Sequence, residues 1–457
     1  MSMWMTEFAK YLVYDNHLLH DNREEAGPVE SLQAAIIENL NLYASKYEEE
    51  FQSHLGHFTS AVWELLVSAK SEPKYEGLAV SGIRFLTVVC SKEANKGMFT
   101  EDVLKLFIEK IVVPNLTASE PDEELFEDNP KDFIRRDFEG NDQDTRRRCA
   151  CELVRALMKV FPEPVTNLCV GYIGAMLHEY TSTGGSNWRL KDAALHLMLA
   201  VSAVTISTAL GVGSLNSSVD VMAMFNTQII PEITDADINA RPNIKADAMK
   251  LICLFRSHLG LENMISVLPH VTRHLSSTNV VVQTYAAICI ERFLTVKDKS
   301  VTPPVVVITK GHIANLLNEI FTGLFRVLEN EDLPENDYVM KCIMRVLILV
   351  DTEVTPVVPF VLEKLTSSLE RVCKNPANPE FNHFLFESLA VLVRSSCGNP
   401  NADESGHCSS IIESSLFPPF QTVLSLDVEE FIPYVFQVLG EMLYYRPGEL
   451  KMVDTCQ

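Results

Sequence analysis

One pattern recurs along most of this chain and excludes most folds. Apolar residues return every three or four positions within stretches of helix length, and a proline or a glycine pair closes each stretch. From Phe51 the apolar positions are Leu55, Phe58, Val62, Leu65 and Leu66. The same stepping returns at Val282, Tyr285, Ala286, Cys289 and Phe293, and at Phe431, Tyr434, Val435, Val438, Leu439 and Met442. Side chains so spaced share one face of a helix, so each stretch predicts an amphipathic helix. Breaks fall at Gly27-Pro28, Pro73, Pro114, Pro121, Pro162, Gly184-Gly185, Pro231, Pro242, Pro269, Pro303-Pro304, Pro334, Pro356, Pro376, Pro400 and Pro418-Pro419. Proline stops a helix or sits in its first turn, so these positions predict helix ends. Strand-like alternation is scarce. Val305 to Thr309 follows Pro303-Pro304 and reads as a loop or helix approach.

Counted between breaks, the chain holds about eighteen helices, or about nine hairpins at the ~40–47 residues of HEAT-type units. Several second helices open alike, with a polar or basic residue, then small residues, then an apolar run. Examples are Arg147-Arg148-Cys149-Ala150, Lys191-Asp192-Ala193-Ala194, Lys245-Ala246-Asp247-Ala248 and Thr284-Tyr285-Ala286-Ala287. Small residues there let neighbouring helices approach, as stacked repeats require. At 457 residues the chain is too long for one compact core, and 47% hydrophobic with 22% charged residues is folded composition. The expected fold is all-α, an α-α superhelix of the HEAT/ARM-like solenoid type, with residues 1–457 forming a single array.

Charge narrows the partners. Lys and Arg total 38 against 61 Asp and Glu, a net charge of −23. Phosphate backbones need counter-charge, so nucleic-acid binding is excluded and basic protein partners are favoured. The 11 cysteines are scattered in apolar runs with no disulfide framework, which points to a reducing compartment. Met1 to Glu7 lacks the basic and apolar regions of a secretory signal. Ala193 to Val219 carries no Asp, Glu, Lys or Arg, yet its serines, threonines and glycines favour a buried helix over membrane insertion.

The longest irregular stretch, Asn115 to Asp144, holds eleven acidic residues against three basic ones and runs straight into Arg146-Arg147-Arg148. Phe126, Phe133, Ile134 and Phe138 punctuate it, which a solvated linker rarely needs. It reads as an ordered acidic insertion on the concave face. The candidate partner-binding residues are Glu127, Asp128, Asp142 and Asp144, with Arg146, Arg147 and Arg148 bracing the insertion or pairing with a partner.

No chemistry-bearing motif stands out. Leu210 to Ser214 and Thr183 to Ser186 resemble phosphate loops, but neither follows a strand or carries the lysine, and both read as helix-linking loops. His270 and His274 have the spacing of a zinc pair without the intervening glutamate or a third ligand, and Cys149-x-Cys151 is no better supported. The expectation is no enzyme, no cofactor and no metal.

Five blocks carry a resemblance: Phe126 to Arg155, Lys191-Asp192-Ala193-Ala194, Asn336 to Arg345, Phe381 to Glu387 and Glu430 to Val438. Together they resemble the importin-α re-export receptors of the β-karyopherin family, in family order over nearly the whole chain. The resemblance implies a HEAT superhelix that binds GTP-loaded Ran and importin-α in the nucleus, passes nuclear pore proteins, and shuttles between nucleus and cytoplasm. It also implies that the repeats making the family's principal Ran contact precede Met1. The alternative is a general HEAT-repeat scaffold that does not depend on Ran.

Overall fold

The computed structural model of the chain describes residues 2–19, 25–69, 72–139, 144–207, 209–330, 333–398 and 407–445. They fall into two compact units, Met1–Gln228 and Ile229–Gln457.

The first unit opens with α1 (Ser2–Leu12), α2 (Pro28–Lys46), α3 (Glu48–Ser68) and α4 (Glu76–Cys90). A broken segment follows: α5 (Glu101–Phe107), a π-helical turn, and α6 (Val113–Leu116). Then come α7 (Glu120–Asp128), α8 (Pro130–Ile134), α9 (Arg146–Val160), α10 (Pro162–Ser182) and α11 (Trp188–Ser202). Helices α2, α4, α9 and α11 pack side by side as one layer, and α3 and α10 lie against them as a second. The predicted stripe on α3 is the buried face, with Phe51, Leu55, Phe58, Val62 and Leu66 all in the core. Glu48, Glu49 and Glu50 occupy its first turn, where acids complement the helix dipole. Gly82 on α4 is required by packing, because a Cβ there would lie 2.8 Å from Leu66 Cδ2.

The second unit repeats the plan. It contains α13 (Ile230–Thr234), α14 (Pro242–Leu259), α15 (Leu261–His274), α16 (Val280–Leu294), α18 (Leu317–Leu328), α19 (Asp337–Val350), α20 (Val358–Val372), α21 (Pro379–Cys397), α22 (His407–Ser425) and α23 (Ile432–Tyr445), with two single-turn helices, α12 (Val221–Met224) in the first unit and α17 (Lys310–Ile313) here. Helices α14, α16, α19, α21 and α23 pack in sequence, and α15, α18, α20 and α22 cover them. The recurrent small residues Ala246, Ala248, Ala286 and Ala287 are all buried, as close helix approach demands. Three successive layer helices share one capping device. Asn279, Asn336 and Asn378 accept from the backbone N–H of Val282, Val339 and Phe381. The Asn336 amide also donates to Thr284 Oγ1 at 2.7 Å, and that of Asn378 to the Glu335 carbonyl at 3.0 Å, so these two caps tie their repeats to the one before.

Four expectations are corrected. The uncharged run from Ala193 is not one helix: α11 stops at Ser202, and Ala203–Ser207 (β1) pairs antiparallel with Gly211–Leu215 (β2). The segment read as a loop at Leu210 to Ser214 is thus mostly strand. β-branched Val204, Thr205 and Ile206 favour extended backbone, and positive φ at Gly211 lets the chain turn back. Val305–Val306 (β4) pairs with Lys297–Asp298 (β3), so the segment after Pro303-Pro304 is a minimal strand. Finally, Pro269 lies inside α15, and Pro418 and Pro419 inside α22. The apolar faces around them, Val267, Leu268 and Val271 in α15 and Leu416 and Phe420 in α22, are buried deeply enough to outweigh the lost backbone hydrogen bonds. Among the described residues the two hairpins are the only strands, and the fold class is all-α, as expected. The loop at Thr183 to Ser186 is a loop, with Gly184 and Gly185 at φ 65° and 78°.

Candidate functional site

The acidic stretch is helical over Glu120–Asp128 and Pro130–Ile134, with a π-helical turn at Arg135–Glu139. Pro121 sits in the first turn of α7, where its missing N–H costs nothing, and both the backbone N–H and the hydroxyl of Ser119 donate to Asp122 Oδ2, at 3.1 and 2.7 Å. Asn129 caps α8 by accepting from the Asp132 N–H at 3.2 Å. Phe126 is buried and meets Phe133 edge-on with centroids 5.0 Å apart, and Ile134 is fully buried beside them. Aromatics spaced along an acidic sequence thus act as anchors.

Ion pairs moor this small domain to the layer. Asp122 pairs with Arg136 inside the insertion, and Glu123 pairs with Arg189 at the start of α11. Burial works against ionisation of Asp122, but the charges of Arg147 and Arg136 and the Ser119 hydrogen bonds outweigh it and hold its carboxyl below the usual range. Asp144 pairs with Arg84 of α4 at 2.5 Å.

The three arginines divide their work. Arg146 Nε lies 2.6 Å from Glu76 Oε2, and its guanidinium also donates to the Glu72 carbonyl at 3.1 Å. Arg147 is the hub. It donates to the Leu116 carbonyl at 3.0 Å and to Asp192 Oδ2 at 2.8 Å, and lies 3.4 Å from His196 Nε2. Asp192 is 2% exposed, so that pair is a buried one. Arg148 remains exposed, 3.3 Å from Glu152 one turn on. Asp144 and Arg146 thus pair with α4, and Arg147 with α11. Glu127 and Asp128 stand exposed on α7 with Glu120 and Glu124, an acidic face turned away from the anchors. Asp142 lies outside the described residues.

Sequence reasoning missed the partners: Glu123 with Arg189, Asp144 with Arg84, and Asp192 beneath Arg147. The one available signal was a charged pair, Lys191-Asp192, set at the head of an apolar run.

The other candidates are not brought into a site. His274 is fully buried and its Nε2 donates to the Ile233 carbonyl at 3.0 Å, so it is a core histidine. Burial pushes the thiols of Cys90, Cys149 and Cys169 up to about 12, leaving no thiolate at neutral pH. Among the described residues no helix is long and apolar enough to cross a membrane.

A stack of helical hairpins bearing a braced, charged insertion is a protein-recognition architecture. Residues 1–290 match the family model described as Cse1, and residues 291–455 the model described as CAS/CSE protein, C-terminus. Exportin-2 of Xenopus laevis is 41% identical over 97% of this chain and 45% of its own length. Exportin-2 of Homo sapiens is 40% identical over 98% of the chain and 46% of its length. The solved structure of the exportin Cse1 in its cargo-free, cytoplasmic state superposes with a TM-score of 0.83 at 32% identity, over 97% of this chain and 46% of that one. The chain belongs to the Cse1 family, the family of exportin-2. It spans about half the length of the curated relatives it matches.

Proposed function

We propose that the chain works as part of a nuclear transport receptor of the exportin-2 type. In this reading it engages GTP-loaded Ran and importin-α cargo in the nucleus, meets nuclear pore proteins, and shuttles to the cytoplasm. It binds no nucleic acid, inserts in no membrane, uses no cofactor and catalyses nothing. The observation that carries this is identity near 40% to exportin-2 over nearly the whole chain. Both units are read as stretches of one repeat array, which is supported by a family model that runs across residues 1–290 without a break.

Within this reading Glu127 and Asp128 meet a basic partner surface. Asp142 belongs to the same partner-facing set, while Asp144, Arg146 and Arg147 brace the insertion and exposed Arg148 pairs with the partner. An acidic face on a rigidly moored element attracts a cationic partner and fixes its register. The test is capture of importin-α with and without GTP-loaded Ran, comparing wild type with Glu127→Lys/Asp128→Lys. Recovery should fall about tenfold or more in the variant. Unchanged recovery would remove the insertion from the interface. Capture that ignores Ran would favour the second reading, a Ran-independent HEAT scaffold.

A further inference from the structure

The sequence Val-Thr-Pro occurs twice in the second unit, as Val301-Thr302-Pro303-Pro304 and as Val354-Thr355-Pro356-Val357. No serine of the chain precedes a proline. The fold treats the two copies oppositely. Thr355 lies in the 3-10 helix Asp351–Val357, between α19 and α20, next to fully buried Val354. Its hydroxyl donates to the Thr352 carbonyl at 2.9 Å, and its own carbonyl accepts from the Val358 N–H. Hydroxyl and carbonyl are thus both engaged within the helical turn.

Thr302 sits in the loop that joins β3 to β4. Every residue from Lys297 to Val305 is exposed, with Val301 at 43% and Val305 at 57%. The ladder of this hairpin ends at Asp298 and Val305, so the chain between them is open. Ser300 is engaged there: its N–H donates to Asp298 Oδ1 at 2.8 Å, and its hydroxyl bonds the same carboxylate. Among the described residues Thr302 Oγ1 has no hydrogen-bond partner, and Lys297 and Lys299 have no carboxylate within ion-pairing distance.

We propose that Thr302 is a phosphorylation site for a proline-directed serine/threonine kinase. Such a kinase breaks the bond between the γ-phosphorus of ATP and its bridging oxygen and forms a new bond from that phosphorus to Thr302 Oγ1. The hydroxyl proton goes to the kinase's catalytic carboxylate, and ADP leaves. Pro303 supplies the selection: an apolar pocket for the residue after the acceptor would strand a backbone N–H, and proline has none. The exposed loop enters a kinase cleft without unfolding a helix, which Thr355 cannot do. The product phosphate carries a charge of about −1.5 to −2 and finds counter-charge in the two lysines, so a loop with two lysines against one aspartate turns from cationic to anionic. The assignment stands apart from the transport reading, which does not involve this loop.

The test treats the full chain with ATP and a mitogen-activated protein kinase, a proline-directed enzyme, and maps phosphate by mass spectrometry of the digested protein. Phosphate should accumulate on Thr302 about tenfold or more faster than on Thr355, whereas short free peptides centred on the two threonines should differ far less. Pro303→Ala should slow modification of Thr302 about tenfold or more, and Thr302→Val should leave the loop without phosphate. Both changes lie in an exposed loop, so both variants should melt with the wild type. Equal rates at the two threonines of the folded chain overturn the proposal. So does a Pro303→Ala chain modified at the wild-type rate, or a wild-type chain left unmodified while the Thr302 peptide is phosphorylated. Failure of chain and peptide alike excludes the proline-directed class and overturns it as well.

Discussion

Arg147 shows how much one side chain can decide. Its guanidinium ties α9 to the Leu116 carbonyl and to buried Asp192, while its charge helps keep Asp122 ionised. Removing one partner of a buried pair strands the other, at a cost of about 3–5 kcal/mol. Arg147→Gln should therefore destabilise the first unit by that order in urea unfolding, whereas Arg148→Gln, at an exposed site, should cost under ~1 kcal/mol. The sequence displayed three adjacent arginines and no means of ranking them, because rank depends on which carboxylates the fold delivers. His274 is the second such residue. Burial lowers its pKa, Lys245 and Arg273 act in the same direction, and the Ile233 bond and Asp235 only partly oppose them. It stays neutral in the folded state, whereas an unfolded histidine takes up a proton near pH 6.5. Its contribution is complete above that pH and is lost as pH falls toward the depressed native value. Unfolding free energy measured between pH 7.5 and 5 should decline less in His274→Gln than in wild type.

At the scale of elements, close helix approach makes its own demands. A Cβ on Gly323 would lie 2.9 Å from Leu275 Cβ, much as one on Gly82 would crowd Leu66. Neither glycine has a positive φ, so the requirement is packing. Gly82→Ala and Gly323→Ala should each destabilise by about 1–3 kcal/mol despite alanine's better helix propensity, as thermal melts would register. The insertion depends on Phe126 in the same way. Phe126→Ala removes its main anchor, so residues 120–139 should become readily cleaved by protease while α9 to α11 stay protected. Helices were legible here because apolar spacing is local information. The hairpin at 203–215 was not, because an uncharged run fits either a buried helix or a strand and only glycine placement and neighbours choose between them.

For the molecule as a whole, charge governs encounter. With a net charge of −23, association with basic partners should be fast at low salt. On the proposed reading, the association rate with importin-α should fall steeply between 50 and 300 mM salt, and less steeply in Glu127→Lys/Asp128→Lys, a difference that stopped-flow mixing resolves.

Helical spacing, proline punctuation and recurrent small residues were enough to specify stacked helical hairpins, since each follows from backbone geometry within a few residues. The acidic insertion also announced itself, through aromatics no linker needs. What the chain could not disclose alone is which charges face inward. Glu123, Arg189, Asp192 and Arg84 are distant in sequence from the residues they hold, and burial, which makes those pairs matter, exists only after the layers have packed.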